Sequence, residues 1–140
     1  EVTIRLNAVR DYGINLPAAS GKSGSIGFCW GGSSSFAYAA AQPDIGAAVV
    51  YYGSAPDKSE LSKINAPVLG FYGGDDARVN AGIPAADAGM KELGKSYEHH
   101  IYDGAGHGFL RAQDGRDGAN MRATQQAWPR TIAFLRLLIE

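Results

Sequence analysis

The sequence predicts an α/β protein, a three-layer sandwich in which a mostly parallel sheet lies between helices. Three observations carry that reading. Helix-patterned segments alternate with short apolar runs along the chain, the pattern of strand–helix–strand crossovers. The apolar runs, such as Ala47–Tyr52 (AAVVYY) and Pro67–Tyr72 (PVLGFY), are continuous rather than alternating, as strands covered on both faces are. The 19 glycines among 140 residues gather just behind those runs, at Gly31-Gly32, Gly53, Gly73-Gly74 and Gly104, Gly106, Gly108. Strands end and turns begin there.

The elements follow in order. Val2, Leu6, Val9 and Tyr12 recur at helical spacing, predicting a first helix that ends before Pro17. Ser20–Ser23 is a polar turn, Ser25–Cys29 a short first strand, and Ser33–Ala41 a small-residue helix stopped by Gln42-Pro43. Ala47–Tyr52 is the second strand. A short helix around Glu60–Ile64 leads to Pro67, which opens the third strand. Ile83, Ala86, Met90 and Leu93 mark an amphipathic helix, and Tyr97–Tyr102 (YEHHIY) the fourth strand. Met121, Trp128, Ile132, Leu135 and Ile139 line one face of a closing helix, which Pro129 is expected to kink or restart. No repeat or linker divides the chain, so residues 1–140 are read as one domain.

Composition narrows the partners. With 45% hydrophobic residues, 19% charged residues and a net charge of −1, the chain has a globular composition. It has no basic field for nucleic acid and no polybasic patch for a membrane surface. No apolar run approaches the ~20 residues of a spanning helix. A single cysteine excludes an intrachain disulfide, and no cysteine cluster is available for a thiolate metal site. No signal peptide is evident ahead of the first helix. A cytoplasmic location is favoured, with a processed secreted or periplasmic form left open.

The chemistry gathers where the strands end, because ligands of parallel sheets bind at the strands' carboxyl ends. Cys29 closes the first strand in Gly27-Phe28-Cys29-Trp30-Gly31, a G-x-nucleophile-x-G pattern. Such a turn is tight enough to require glycine, and it raises the nucleophile above the sheet. The positive end of the following helix favours an anion held there, and the Trp30 amide points where an oxyanion would form. The plain alternative is a buried core thiol beside glycines that merely close a strand. His99 and His100 lie within a strand and face opposite ways, so one should be packed and one solvated. His107, in DGAGHGF, sits instead in a loop just past the fourth strand, at the edge where Cys29 emerges. Asp75 and Asp76 end the third strand in YGGDDARV. Turn composition and helix capping explain them equally well. The order nucleophile, acid, histidine at successive strand ends is nevertheless that of α/β-hydrolase triads.

Taken together, GFCWGG, YYG, PVLGFYGGDDARV and YEHHIYDGAGHGF resemble the dienelactone hydrolase (carboxymethylenebutenolidase) family of α/β-hydrolases. The likeness runs from about Ser25 to Phe109, and the closing helix fits it. Cysteine at the elbow is its specific part, since most α/β-hydrolases carry serine there. The resemblance implies Cys29 as nucleophile and His107 as base. It implies Asp76 as acid, because the family's aspartate stands three residues before a valine, here Val79. It places a carboxylate-binding arginine at Arg111, four residues after the histidine, and Tyr52 near the pocket. Gly108 stands where serine also occurs in the family. The chemistry so implied is hydrolysis of carboxylic ester or lactone bonds, with Trp30 N–H at the oxyanion and no metal or organic cofactor.

The resemblance covers only the C-terminal half of the family's fold, a partial α/β-hydrolase. The other half of a complete member carries a second oxyanion-hole amide and a glutamate that holds the resting cysteine. It also covers one edge of the strand ending at Cys29. That edge is therefore expected to be bare and to invite a homo-oligomer. Two function classes stay open: a small-molecule ester or lactone hydrolase, and a non-catalytic truncated module used for binding or assembly. A flavodoxin-like binding domain is the fallback fold, disfavoured because no serine/threonine-rich phosphate loop follows the first strand.

Overall fold

The computed structural model describes all residues from Glu1 to Glu140. Four strands, β1 (Gly24–Phe28), β2 (Ala47–Tyr51), β3 (Val68–Gly73) and β4 (Tyr97–Tyr102), form one sheet in the order β1-β2-β3-β4. Every neighbouring pair is parallel. Ile26 stands opposite Val49, Val49 opposite Leu69, and Leu69 opposite Glu98.

That sequential order decides where the helices go. Right-handed crossovers that always step the same way place their helices on one face of the sheet. Helices α2 (Trp30–Ala41), α3 (Lys58–Leu61) and α5 (Ile83–Glu92) occupy that face, with the short α4 (Ala77–Asn80) ahead of α5. Phe36, Ala39, Val50, Leu61, Val68, Tyr72 and Met90 form its core. The opposite face has no crossover helix, and α6 (Ala119–Ile139) covers it after β4. Val49, Tyr51, Leu69, Phe71, Phe109, Ala123 and Ala127 pack there. Both central strands are buried at every position, as their unbroken apolar sequences require.

The element types agree with the sequence, while two buried faces do not. The first helix, α1 (Val2–Ile14), forms as its spacing predicts, yet it buries none of its residues. Val9 and Tyr12 point to solvent, and Leu6 alone packs against the small cluster of Tyr38, Ile45 and Ala66. Polar contacts hold the helix instead. Asn7 Oδ1 accepts from Tyr38 Oη at 2.8 Å and Gln42 Nε2 at 3.0 Å, and Arg10 Nε donates to Ser23 Oγ at 2.9 Å.

On α6 the buried stripe is Ala119, Ala123, Ala127 and Thr131, spaced by four, while Met121 and Trp128 are exposed. Small residues let the helix lie close against the sheet, and Thr131 Oγ1 meets the buried Tyr51 hydroxyl at 2.7 Å. The helix neither stops nor restarts at Pro129. Helix α2 also begins earlier than its sequence suggests, at Trp30, so Cys29 is the turn itself rather than the end of β1.

His99 and His100 are both half-buried, rather than one packed and one solvated. Each face of β4 supplies a partner. His99 faces Asp87 of α5 at 3.7 Å, and His100 stacks on Phe71 at a ring separation of 5.7 Å. No helix is long and apolar enough to cross a membrane.

The two edges of the sheet differ in cover. β1 has one strand neighbour, and Ile26 and Phe28 are 39% and 40% exposed. They point to the face that α6 covers, because Ser25, one residue out of phase, bonds Ser35 of α2 at 2.7 Å. Helix α6 meets this face of β1 at Gly24, through Leu135 and Ile139, and leaves Ile26 and Phe28 partly exposed.

Candidate active site

The turn after β1 presents Cys29 with φ 55° and ψ −121°. This is a left-handed backbone that a residue with a Cβ adopts only under constraint. The constraint is visible. Cys29 N–H donates to Tyr51 O at 3.1 Å, and its carbonyl accepts from Ser33 N–H at 3.2 Å. A Cβ on Gly27 would sit 1.8 Å from the Gly31 carbonyl oxygen, so no side chain is possible there. The expected symmetry of the two flanking glycines does not hold. Gly31 has open space for a Cβ, and the helix-side crowding falls one residue later, where a Cβ on Gly32 would lie 2.5 Å from Tyr51 O. Trp30 opens α2, so its N–H is among those with no intrahelical acceptor, and its indole is exposed.

His107 and Asp76 are brought together by the ends of β3 and β4. Past Gly73 the chain runs against the next loop, with Gly74 N–H on Tyr102 O at 2.8 Å and Asp75 N–H on Ala105 O at 3.0 Å. The approach is so close that a Cβ on Gly73 would fall 2.5 Å from the carbonyl oxygens of Ala105 and Gly106. Asp76 Oδ2 lies 2.5 Å from His107 Nδ1, and its other oxygen accepts from Val79 N–H at 3.4 Å as the cap of α4. The carboxylate is 7% exposed and the imidazole 37%. Since a carboxylate only accepts, Nδ1 carries the proton and a neutral ring keeps its lone pair on Nε2. Asp75 turns away and pairs with Arg116 at 2.6 Å.

Two cavities meet at Cys29 and Tyr52. One, of about 280 Å³, is lined by Cys29, Trp30, Ser33, Tyr52, Ser54, Arg78, Val79 and His107. The other, of about 300 Å³, is lined by Phe28, Cys29, Tyr52, Leu110 and Arg111. Tyr52 is buried, with φ 41°, and its ring lies 5.1 Å from that of His107. Burial pushes its phenol well above the ordinary tyrosine value, and the neighbouring Cys29 and Tyr51 add to the shift. It is therefore a neutral hydrogen-bonding group near neutral pH. No three His, Cys, Asp or Glu side chains converge in a way that could hold a metal ion.

The structure thus brings Cys29, Trp30, Tyr52 and His107 to one cavity, hydrogen-bonds His107 to Asp76, and sets Arg111 beside Cys29 in the second cavity. Three further residues belong here and are not evident in sequence. Arg78 lines the cavity that His107 enters. Asn120, 3% exposed, accepts from Gly106 N–H at 2.9 Å and donates to Ala112 O at 2.7 Å, clamping the loop that carries His107 and Arg111. Asn80 donates to Gly73 O at 2.8 Å and braces the turn that bears Asp76. Lone polar residues inside helical patterns give no signal of such roles.

Residues 1–138 match the sequence pattern of the dienelactone hydrolase family. A protein of Saccharolobus solfataricus named "Putative carboxymethylenebutenolidase" is 37% identical over 113 residues, which are 80% of this chain and 43% of that one. A protein of the same name from Methylorubrum extorquens is 37% identical over 134 residues, 85% of this chain and 44% of the relative. Among solved structures, "Crystal Structure of Putative Dienelactone Hydrolase from Klebsiella pneumoniae subsp. pneumoniae MGH 78578" superposes with a TM-score of 0.83 at 26% identity. It covers 96% of this chain, which spans 60% of that one. The chain therefore spans less than half the length of these curated relatives and carries part of an α/β-hydrolase fold. It belongs to the dienelactone hydrolase family.

Proposed function

We propose that the chain carries the nucleophile, base and acid of a carboxylic ester or lactone hydrolase working through Cys29, His107 and Asp76. The observation that supports this reading most is the Asp76–His107 hydrogen bond of 2.5 Å at a cavity that Cys29 also lines. Asp76 holds the imidazole with Nδ1 protonated, so Nε2 takes the proton of the Cys29 thiol. The thiolate attacks the substrate carbonyl, forming an S–C bond, and the Trp30 N–H at the head of α2 stabilises the oxyanion. As the C–O bond breaks, His107 returns its proton to the departing alkoxide. Water then gives a proton to His107 and attacks the thioester. The acid leaves, and the sulfur regains its proton. Tyr52 offers the substrate a neutral hydrogen bond, and Arg111 attracts a carboxylate on it.

Incubation with 4-nitrophenyl acetate tests this directly. Cys29 is the only cysteine, so the expected product is one acetyl group on the peptide that contains it. The label should vanish in Cys29→Ala and form far more slowly in His107→Ala. A Cys29 that is never acylated would leave the chain a binding or assembly module and end the hydrolase reading.

A further inference from the structure

A third cavity, of about 520 Å³, lies beyond Leu110 and is larger than either cavity at Cys29. It opens between the loop after β4 and the first half of α6. Leu110 and Gln113 line one side, and Thr124, Gln125, Trp128 and Pro129 the other. The packing of α6 explains its position. Leu135 and Ile139 lie against Gly24 at the start of β1, and Thr131 meets Tyr51, the last residue of β2. Trp128 and Thr124, about one and two turns nearer the start of the helix, therefore overhang the carboxyl ends of the strands. That is the end of the sheet where Cys29 and His107 stand.

Leu110 joins this cavity to the site. It is a wall of the third cavity and also of the one lined by Phe28, Cys29 and Tyr52. Phe28, Leu110 and Trp128 make an apolar path leading away from the sulfur, with Phe28 40% and Trp128 43% exposed. The far end of that path is neutral. Gln113 Nε2 donates to Leu110 O at 3.0 Å, and Thr124 Oγ1 donates to Asn120 O at 2.9 Å, so both side chains are spent on the backbone. No charged residue lines this cavity, whereas Arg111 lines the one at Cys29. What remains is the open indole of Trp128 beside Pro129 and Leu110. A charged group would lose its hydration there without a partner, while a methylene gains by leaving water.

Resting on the hydrolase reading above, we infer that this cavity is an acyl-tail site. It takes the end of a neutral aliphatic acyl chain whose carbonyl is held at Cys29 and whose middle crosses Leu110. The substrate class is then an ester of a medium-chain fatty acid. Arg111 borders only the nearer cavity, so its attraction for a carboxylate does not extend to the tail.

Two measurements on the 140-residue chain test this. The first fixes a tail at the only thiol. Trp30→Phe leaves Trp128 as the single tryptophan, and Cys29 in that variant is capped with methyl or octyl methanethiosulfonate. The octyl adduct should shift Trp128 emission to shorter wavelength than the methyl adduct, because the tail displaces water from the indole. The second compares kcat/KM for 4-nitrophenyl octanoate and 4-nitrophenyl acetate. Trp128→Ala should lower the octanoate-to-acetate ratio about tenfold, and Trp128→Phe should keep most of it.

Equal emission from the two adducts would overturn the site, whatever the activity. An octanoate-to-acetate ratio that Trp128→Ala leaves unchanged would overturn it too, with the nucleophile left standing and the cavity given over to a protein partner. A tail that reaches Trp128 in a chain whose Cys29 neither ester acylates would overturn the hydrolase reading, and the substrate assignment with it.

Discussion

The two sides of the site are built differently. Asp76 and His107 sit on a closed side. β3 and β4 are zipped together beyond their ends, Asn120 and Asn80 brace the two loops, and the carboxylate is almost wholly buried. Cys29 sits on an open side. Its strand is the edge of the sheet, with Ile26 and Phe28 uncovered on one face and the Trp30 ring in solvent. The Asp76–His107 pair is fully formed within these 140 residues, while the turn that holds Cys29 borders a partly exposed strand edge. Hydrogen-bond geometry can thus be fully formed at one end of a sheet and still meet bare backbone at the other.

Breaking the closed side should have the largest effect. Asp76→Asn cannot hold the same tautomer of His107, and kcat for an activated ester should fall by on the order of 10³–10⁴. Asp75→Asn removes only an exposed pair, worth about 0–1 kcal/mol, and should leave turnover within about threefold. Equal losses from the two would contradict the division of labour between neighbouring aspartates.

Breaking the open side should first cost stability. Gly27→Ala drives a Cβ into the Gly31 carbonyl and should cost more than ~4 kcal/mol in urea unfolding, if it folds at all. Gly31→Ala meets nothing, and inside α2 it should be neutral or stabilise by up to ~1 kcal/mol. A Gly31→Ala variant as damaged as Gly27→Ala would mean that the turn is crowded differently.

The core beneath both sides responds to pH. Burial pushes Tyr51 and Tyr72 from 10.0 up to about 12. Between those values the unfolded chain gives up protons that the folded one keeps, so stability present below pH 10 is lost as pH rises toward 12. Circular dichroism across that window should show cooperative unfolding, delayed in Tyr51→Phe if the fold tolerates the lost Thr131 bond. Unfolding complete below about pH 9 would exclude these tyrosines as its cause.

The smallest expected effect concerns the edge itself. Two copies can pair through β1 and bury Ile26 and Phe28. Light scattering at micromolar concentration should then give a mass near twice 14.7 kDa, with Ile26→Lys shifting it toward one copy. A clean monomer in the wild type would remove the self-pairing expectation.

Much of this was legible in the sequence, for identifiable reasons. Continuous apolar runs ended by glycine mark central parallel strands, and β2 and β3 match them closely. The elbow around Cys29 was readable through Gly27, where only glycine fits, although Gly31 on the other side has room for a side chain. Other features depend on what lies across space. Val9 and Tyr12 keep helical spacing although no partner covers them. The buried stripe of α6 is largely alanine, which carries little hydrophobic signal, and Met121 and Trp128 point outward. Arg78, Asn80 and Asn120 look like ordinary helix residues until the loops they face are in place.

The central claim is that His107, held by Asp76, raises the reactivity of Cys29. Iodoacetamide alkylation near pH 7 tests it most directly, because the chain has one thiol and the reaction requires no intact substrate pocket. Wild type should react faster than the same chain unfolded in urea, and His107→Ala should fall back to the unfolded rate. Identical rates in wild type, His107→Ala and the unfolded chain would contradict the account.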